Sequence, residues 1–441
     1  MPPVLLVVAA ALAAPAPVLD RQPALPQQAM RPLSAAQLFI LADQAQLRGD
    51  GRLAARIYRA MLVDSSVDIR LEARFRLAKI EAAQANLGRA AILLRQILDE
   101  KPDAGSVRIE LAQLLDRMGE EDSALRELRA AQASGLPPRV ARLVDRYSDA
   151  LRSARPKGAS IEFAIAPDSN ISRSTSSDTL GTVFGDFELD KDSKAMSGLG
   201  LSLHGQAYRR FGLSGEASML VRGSASGDFY RQSRFDDFSL DLAVGPELQL
   251  GRNRLTLEAG ATQRWFGLKP HVRAARIAAS LKRPLDRRTQ LRLSGSAALL
   301  DYRSNDLQDG KSFSLQTGVE RAVSETTGVA LNLSGDRTAA RDPGYSTRGW
   351  RAGLTVWKDV GRATLTAGAE FGRLHADERL ALFPEERRDR YSRLSFGTTF
   401  RQFSFGGFAP VTRLVIERNK STIEFYDYRR TRTEFGIVRA F

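Results

Sequence analysis

The chain holds three histidines, His204, His271 and His375, and no cysteine. Disulfides, thiolate metal sites, thiol nucleophiles and lipidation at a cysteine are thereby excluded. The histidines stand far apart and none falls in an H-E-x-x-H pattern, so metal hydrolysis has no motif to rest on. One pair could carry hydrolysis. Ser202 and His204 lie two residues apart in "LGLSLHGQAY" and share a face if the segment is extended. A serine beside a histidine is the minimum for nucleophilic catalysis. The expected reading is plainer: a polar-face histidine satisfied by water, and no enzyme. No glycine-rich loop follows a strand and opens a helix, and the 35 glycines are scattered. No cofactor or metal is expected. The net charge of +14 suggests acidic partners, such as anionic lipid, phosphate-bearing glycolipid or an acidic client. Its basic residues are spread through the chain without the aromatic-lined patch that nucleic-acid binding needs.

Other chemistry-bearing residues sit on one side of alternating segments. Asp241, Glu258, Glu320 and Glu370, with Arg264 and Arg292, share the polar face of such stretches. They imply a charged, wet interior, with most of them pairing across it as braces. The segments that must position them are long. In "FSLDLAVGPELQL", Phe238, Leu240, Leu242, Val244, Pro246, Leu248 and Leu250 share one face, and Ser239, Asp241, Glu247 and Gln249 the other. "LTLEAGATQRW" (Leu255 to Trp265) and "LRLSGSAALL" (Leu291 to Leu300) alternate likewise. Period 2 reads as strand, and the lengths match the reach of a tilted strand across a bilayer. About 14 such segments follow residue 160, the strand count of a mid-sized outer-membrane barrel. The connections support the idea. "GRN" (Gly251 to Asn253), "SET" (Ser324 to Thr326) and "DVG" (Asp359 to Gly361) are short and fall at even positions. The stretches Ser172 to Ala195, Arg337 to Thr347 and Ala376 to Arg388 are longer and fall at odd positions. Short turns on one side and long loops on the other are the barrel pattern. The basic run "RRDRYSR" (Arg387 to Arg393) is expected at the outer rim, where it could meet phosphates of lipopolysaccharide.

The N-terminal part reads differently. "MPPVLLVVAAALAAPAPV" carries an apolar run too short to span a bilayer, with small residues at Ala11-Leu12-Ala13 and Ala14-Pro15-Ala16. Residues 1–16 are expected to be a signal peptide, although no Lys or Arg precedes the apolar run, and 17–33 a linker. Residues 34–153 show helical periodicity. Arg76 to Leu98 aligns with Glu110 to Gln132 at an offset of 34, matching Leu77 with Leu111, Ala78 with Ala112, Ala90 with Ala124 and Leu94 with Leu128. An earlier copy runs from Leu41 to Leu62. A period near 34 with alanine at helix crossings resembles tetratricopeptide repeats, which stack into a solenoid with a concave face for a peptide or protein segment. "SARPKGAS" (Ser153 to Ser160) then marks a boundary, and residues 160–441 form the alternating part.

The chain closes on "TRTEFGIVRAF", alternating to its last residue. Lipid offers no hydrogen-bond partner, so a barrel's last strand must pair with its first. The terminal stretch resembles the assembly signal of bacterial outer-membrane proteins: Glu434, Gly436 and Phe441 fit, while Arg439 stands where an apolar residue is usual. Two stretches carry a wider resemblance. "APDSNIS", which contains Pro167, Asp168, Ser169 and Asn170, and the final "ERNKSTIEFYDYRRTRTEFGIVRAF" are similar to the first-strand end and last hairpin of the surface lipoprotein assembly modulators. That resemblance implies an outer-membrane translocator with its helical domain in the periplasm. Its partners would be client lipoproteins or secreted proteins, periplasmic chaperones, the barrel assembly machinery and outer-membrane lipid. The residues alone leave open an exporter of exopolysaccharide and a passive solute pore with an accessory binding domain. The expected fold is thus an α-helical, tetratricopeptide-like solenoid followed by an all-β transmembrane barrel of about 14 antiparallel strands.

Overall fold

The computed structural model describes residues 33–151, 157–190, 193–400, 403 and 408–439. The expected signal peptide, nearly all of the linker and Phe441 lie outside the described residues. Seven helices come first: α1 (Ala35–Leu47), α2 (Gly51–Met61), α3 (Val67–Ala83), α4 (Leu87–Glu100), α5 (Gly105–Met118), α6 (Glu121–Ala133) and α7 (Pro138–Leu151). Local signals set their ends. Ser34 and Gln37 form a reciprocal capping box on α1, Asp50 accepts the Leu53 amide at 2.9 Å, and Gly119 at φ +92° ends α5. Sequential helices pack together around two apolar clusters. One joins Ala42, Ala54, Tyr58 and Leu77; the other joins Ala90, Leu94, Leu111, Leu115, Ala124 and Leu128. Alanine at the crossings lets backbones approach, and each buried leucine contributes about 1.5–3 kcal/mol.

The remainder is a ring of strands. β1 (Lys157–Asp168) leads into a long loop carrying a small hairpin, β2 (Thr179–Thr182) and β3 (Gly185–Glu188). The ring continues with β4 (Gly198–Ser214), β5 (Ala217–Tyr230), β6 (Asp237–Leu250), β7 (Asn253–Phe266), β8 (Lys269–Pro284) and β9 (Thr289–Tyr302). β10 (Gly310–Ala322), β11 (Thr327–Ala340), β12 (Thr347–Val360), β13 (Ala363–Ala376), β14 (Arg388–Phe400), β15 (Phe408–Ser421) and β16 (Tyr428–Arg439) complete it. Fourteen strands pair antiparallel in sequence order, and β1 pairs with both β4 and β16, so the sheet is closed. The outward face carries an apolar band: Ile277, Leu299, Leu315, Phe371 and Phe435 are all exposed. Such a surface is tolerated in lipid and not in water.

One end of the barrel carries tight turns, such as residues 215–216, 251–252 and 361–362; the other carries the long loops. The expected asymmetry is not strict: residues 401–407 join β14 to β15 at the short-turn end. The β7–β8 connection at the long-loop end is only Gly267 and Leu268, both at positive φ (+58° and +63°). Positive φ at both central residues is the I′ geometry that suits a twisted two-residue hairpin. At the same end Leu380, Phe383 and Ile423 form a small apolar cluster beneath the loops, and Glu424 accepts the Gly181 amide at 2.9 Å.

Candidate functional site

Helix α6 lies against the short-turn end of the barrel. Its polar side is tied to the wall strand after strand. Arg254 of β7 donates to Glu121 at 2.6 Å, while Arg210 of β4 donates to neighbouring Glu247 of β6 at 2.6 Å. Lys282 of β8 reaches Asp122 at 3.2 Å, with Arg292 of β9 at 3.5 Å. Arg129 donates to Gln290 of β9 at 2.7 Å and pairs with Glu320 of β10. Arg287, in the β8–β9 turn, reaches Asp145 of α7 at 3.1 Å. These anchors run from β7 to β10 and make α6 a lid rather than a free-standing domain edge.

The lid is held from behind as well. Glu127 of α6 accepts Arg108 of α5 at 2.8 Å and pairs with Arg95 of α4 at 2.7 Å. Burial pushes the Glu127 carboxyl up, but the two guanidiniums outweigh it and hold it down to about 2. Asp122 is likewise lowered: burial opposes its charge, and Lys282, Arg292 and Arg126 win. Between lid and wall is a polar chamber of about 670 Å³, lined by Arg126, Glu127, His204, Asp241 and Glu320 among others. Three of the four carboxylates expected to brace the interior do so, in two ways. Asp241 and Glu258 pair with wall arginines Arg276 and Arg222, whereas Glu320 and Arg292 turn to the lid.

The second construction is the seam. Phe163, Ala164 and Ile165 of β1 pair with Ile437, Gly436 and Phe435 of β16, and Asp168 stands opposite Arg432. Gly436 is required by close approach, since a Cβ there would meet the Phe163 carbonyl oxygen at 2.3 Å. Glu434 accepts Arg413 of β15 at 2.7 Å, and the same guanidinium reaches Glu162 of β1 at 3.3 Å, bridging the seam from inside. At the long-loop end the bonding is denser. Asp168 accepts Nε and Nη2 of Arg430 at 2.9 and 2.6 Å. Arg430 also reaches Glu417 of β15 at 3.3 Å, and Arg432 donates to Asp228 of β5 at 2.6 Å. Asn170 donates to the Arg429 carbonyl at 2.9 Å, and Ser169 exchanges bonds with the Thr431 backbone. Pro167, without an N–H, adds no ladder donor.

Pro167, Asp168, Ser169 and Asn170 thus lie at the β1 end that meets the last hairpin, to which Glu434 and Gly436 belong. The lid contacts and the roles of Arg430, Arg432, Glu417 and Asp228 were not foreseen from the sequence. The one available signal was their position on the polar face of their strands. Ser202 donates to Asp228 at 2.8 Å, and the His204 ring nitrogen lies 3.4 Å from its hydroxyl. The carboxylate therefore engages the serine and Arg432, not the imidazole. Among the described residues no group of His, Asp and Glu has metal-ligating geometry.

A closed ring of fourteen antiparallel strands with an apolar outside, a charged inside and a helical lid defines an outer-membrane-type β-barrel with an N-terminal helical region. The sequence profile of the surface lipoprotein assembly modifier family matches residues 159–441, more than half of the chain. The chain belongs to that family. A search of curated protein sequences finds no match. Solved outer-membrane proteins align over about two thirds of the chain. A bacterial polysaccharide outer membrane secretin is 13% identical over 64% of this chain and 98% of its own, with a TM-score of 0.34. OccAB3 of Acinetobacter baumannii is 10% identical over 64% and 98%, TM-score 0.35, and the toluene transporter TodX of Pseudomonas putida 11% over 66% and 92%, TM-score 0.33. Likeness at this level carries nothing about cargo.

Proposed function

We propose that this chain is an outer-membrane translocator that passes client lipoproteins or secreted proteins from the periplasm to the cell surface. In barrels of this type the short turns face the periplasm. The helical region, tied to that end, then stands where a client arrives from its chaperones. We read the paired helices as tetratricopeptide-type units that collect the client, and residues 1–16 as the export signal. The barrel assembly machinery would recognise the terminal strand through Glu434, Gly436 and Phe441. Transport of this kind needs no catalytic step, cofactor or metal.

The observation that carries the reading is the α6 lid. A helix pinned at the mouth to β7, β8 and β10 by Arg254–Glu121, Lys282–Asp122 and Arg129–Glu320 couples the client-collecting part to the pore. A passive solute pore has no use for such a cover. Export of a polysaccharide would use the same mouth, but the family to which the chain belongs is named for surface lipoproteins.

The test uses the absence of cysteine. Arg129→Cys with Gln290→Cys allows the lid to be tethered to β9 by a cleavable bis-maleimide in intact cells. Surface display of the client, read by protease shaving, should stop on tethering and resume on cleavage. Display that continues with the lid tethered sinks the gate. Clients that stay surface-exposed after deletion of the gene sink the translocator reading itself.

A further inference from the structure

We propose that the outward rim of β12 to β15 at the long-loop end binds the phosphates of a phosphorylated glycolipid in the outer leaflet. Strand alternation divides the basic run Arg387 to Arg393 between two environments. Arg387 stacks on the Tyr426 ring at 3.6 Å and bonds to Asp389 at 2.6 Å, and Arg393 turns inward to Glu417 at 3.7 Å. Arg388 and Arg390 share the outward face with the exposed Leu394 and Phe396.

Register then gathers more cations. Arg390 stands directly opposite Arg373 of β13 and Lys420 of β15, so three cations occupy three neighbouring strands in one line. One step toward the loops, Arg348, His375 and Arg388 form a second line; one step away from them, Arg418 faces Arg429 of β16. Like charges directly opposite one another on a sheet are destabilising. Some are neutralised within the chain: Arg337 by Asp377, Arg388 by Glu386 and Arg418 by Asp427. Among the described residues, Arg348, Arg373, Arg390 and Lys420 have no carboxylate at salt-bridge distance and all four are exposed. Such a line is stable when anions lie across it.

The surroundings specify the anion. Exposed Trp350 extends the first line onto β12, exposed Phe371 with Ser392 and Arg418 forms the next step away from the loops, and exposed Leu394 and Ile416 follow on the same outward face. A ligand that satisfies both layers has phosphates at one end and acyl chains at the other. Three strands about 4.8 Å apart spread the cations over roughly 10 Å, room for more than one phosphate. Arginine binds phosphate through paired N–H donors. The opposite sector differs: toward the same end β5 to β7 present Phe229, Phe238 and Trp265, with Phe238 in tilted ring contact with the other two at 6.1 and 5.3 Å.

This inference rests on the orientation proposed above but not on transport, and its test has no transport readout. The full chain in detergent would be titrated with bisphosphorylated lipid A, with its dephosphorylated form and with inorganic phosphate, by native mass spectrometry or calorimetry. The phosphorylated lipid should bind, and removal of its phosphates should weaken binding at least tenfold. Arg373→Gln with Arg390→Gln and Lys420→Gln should weaken it by the same factor while the barrel keeps its folded electrophoretic mobility. Arg390→Gln alone, the milder variant, should weaken it about threefold. Equal binding of the dephosphorylated lipid, undiminished binding by the variants, or inorganic phosphate competing as well as the lipid would each overturn the proposal. Lipid binding together with absent export would remove only the transport reading.

Discussion

Asp168→Ala should destabilise the closing seam by about 3–5 kcal/mol, the range found when one partner of a buried ion pair is removed. The geometry supports that figure. The Asp168 side chain is 0% and Arg430 4% exposed, and the carboxylate takes two guanidinium donors at 2.9 and 2.6 Å. It also accepts the Asn170 amide at 2.9 Å. Without it Arg430 keeps only Glu417 at 3.3 Å, a buried charge with half its neutralisation gone. For a domain of this size about 2–4 °C of midpoint accompanies each kcal/mol, so the unfolding temperature should fall by roughly 10 °C. The assay is heat modifiability: folded barrel and unfolded chain separate on a gel, and the conversion midpoint is read against temperature. Asp168→Ala with Arg430→Ala should recover part of the loss, because no unpaired charge stays buried. The more exposed pair Arg264–Asp237 sets the comparison; Arg264→Ala should cost less than about 1 kcal/mol. A midpoint for Asp168→Ala within about 2 °C of the parent, or a double variant worse than the sum of the singles, would refute the seam lock.

Two further outcomes are expected. Gly436→Val should reduce the yield of folded barrel far more than the same change at Gly335, because a Cβ at 436 strikes the Phe163 carbonyl whereas one at 335 meets open space; equal yields in a membrane-fraction blot would contradict this. Glu127 has a depressed folded-state pKa of about 2 against an ordinary value of 4.5. Its contribution is therefore complete above pH 4.5 and is lost as pH falls toward 2, so the hydrogen-exchange protection of α6, taken relative to the intrinsic rate at each pH, should fall over that interval. Glu127→Gln should flatten this dependence, and a persistent acid step in that variant would assign it elsewhere.

Much of the fold is written locally. Alternation in Phe238 to Leu250, the helical period of Arg76 to Leu98 and the turns at Gly251 and Ser324 each depend on near neighbours, so they can be read without knowing what packs against what. Barrel closure is legible for a related reason: unpaired backbone in lipid is prohibitive, so the first and last strands of the alternating series must find partners. The motif Pro167 to Asn170 could be picked out, but its work could not. Arg430 lies 262 residues from Asp168, and their pairing depends on the register at which the ring closes.

The amino-acid sequence by itself determined the two-part organisation, the strand faces and the closed ring, because these follow from side-chain periodicity and from the solvent each face meets. Only the tertiary structure decided that α6 is tied to β7–β10, that Arg387 stacks on Tyr426 and Arg393 turns inward while Arg388 and Arg390 face out, and that Asp168 meets Arg430 across the seam. Each of those depends on which charges from distant segments meet at hydrogen-bond distance. Coulombic pairing in a shielded interior is decided by a few ångströms, a precision that spacing along a chain does not carry.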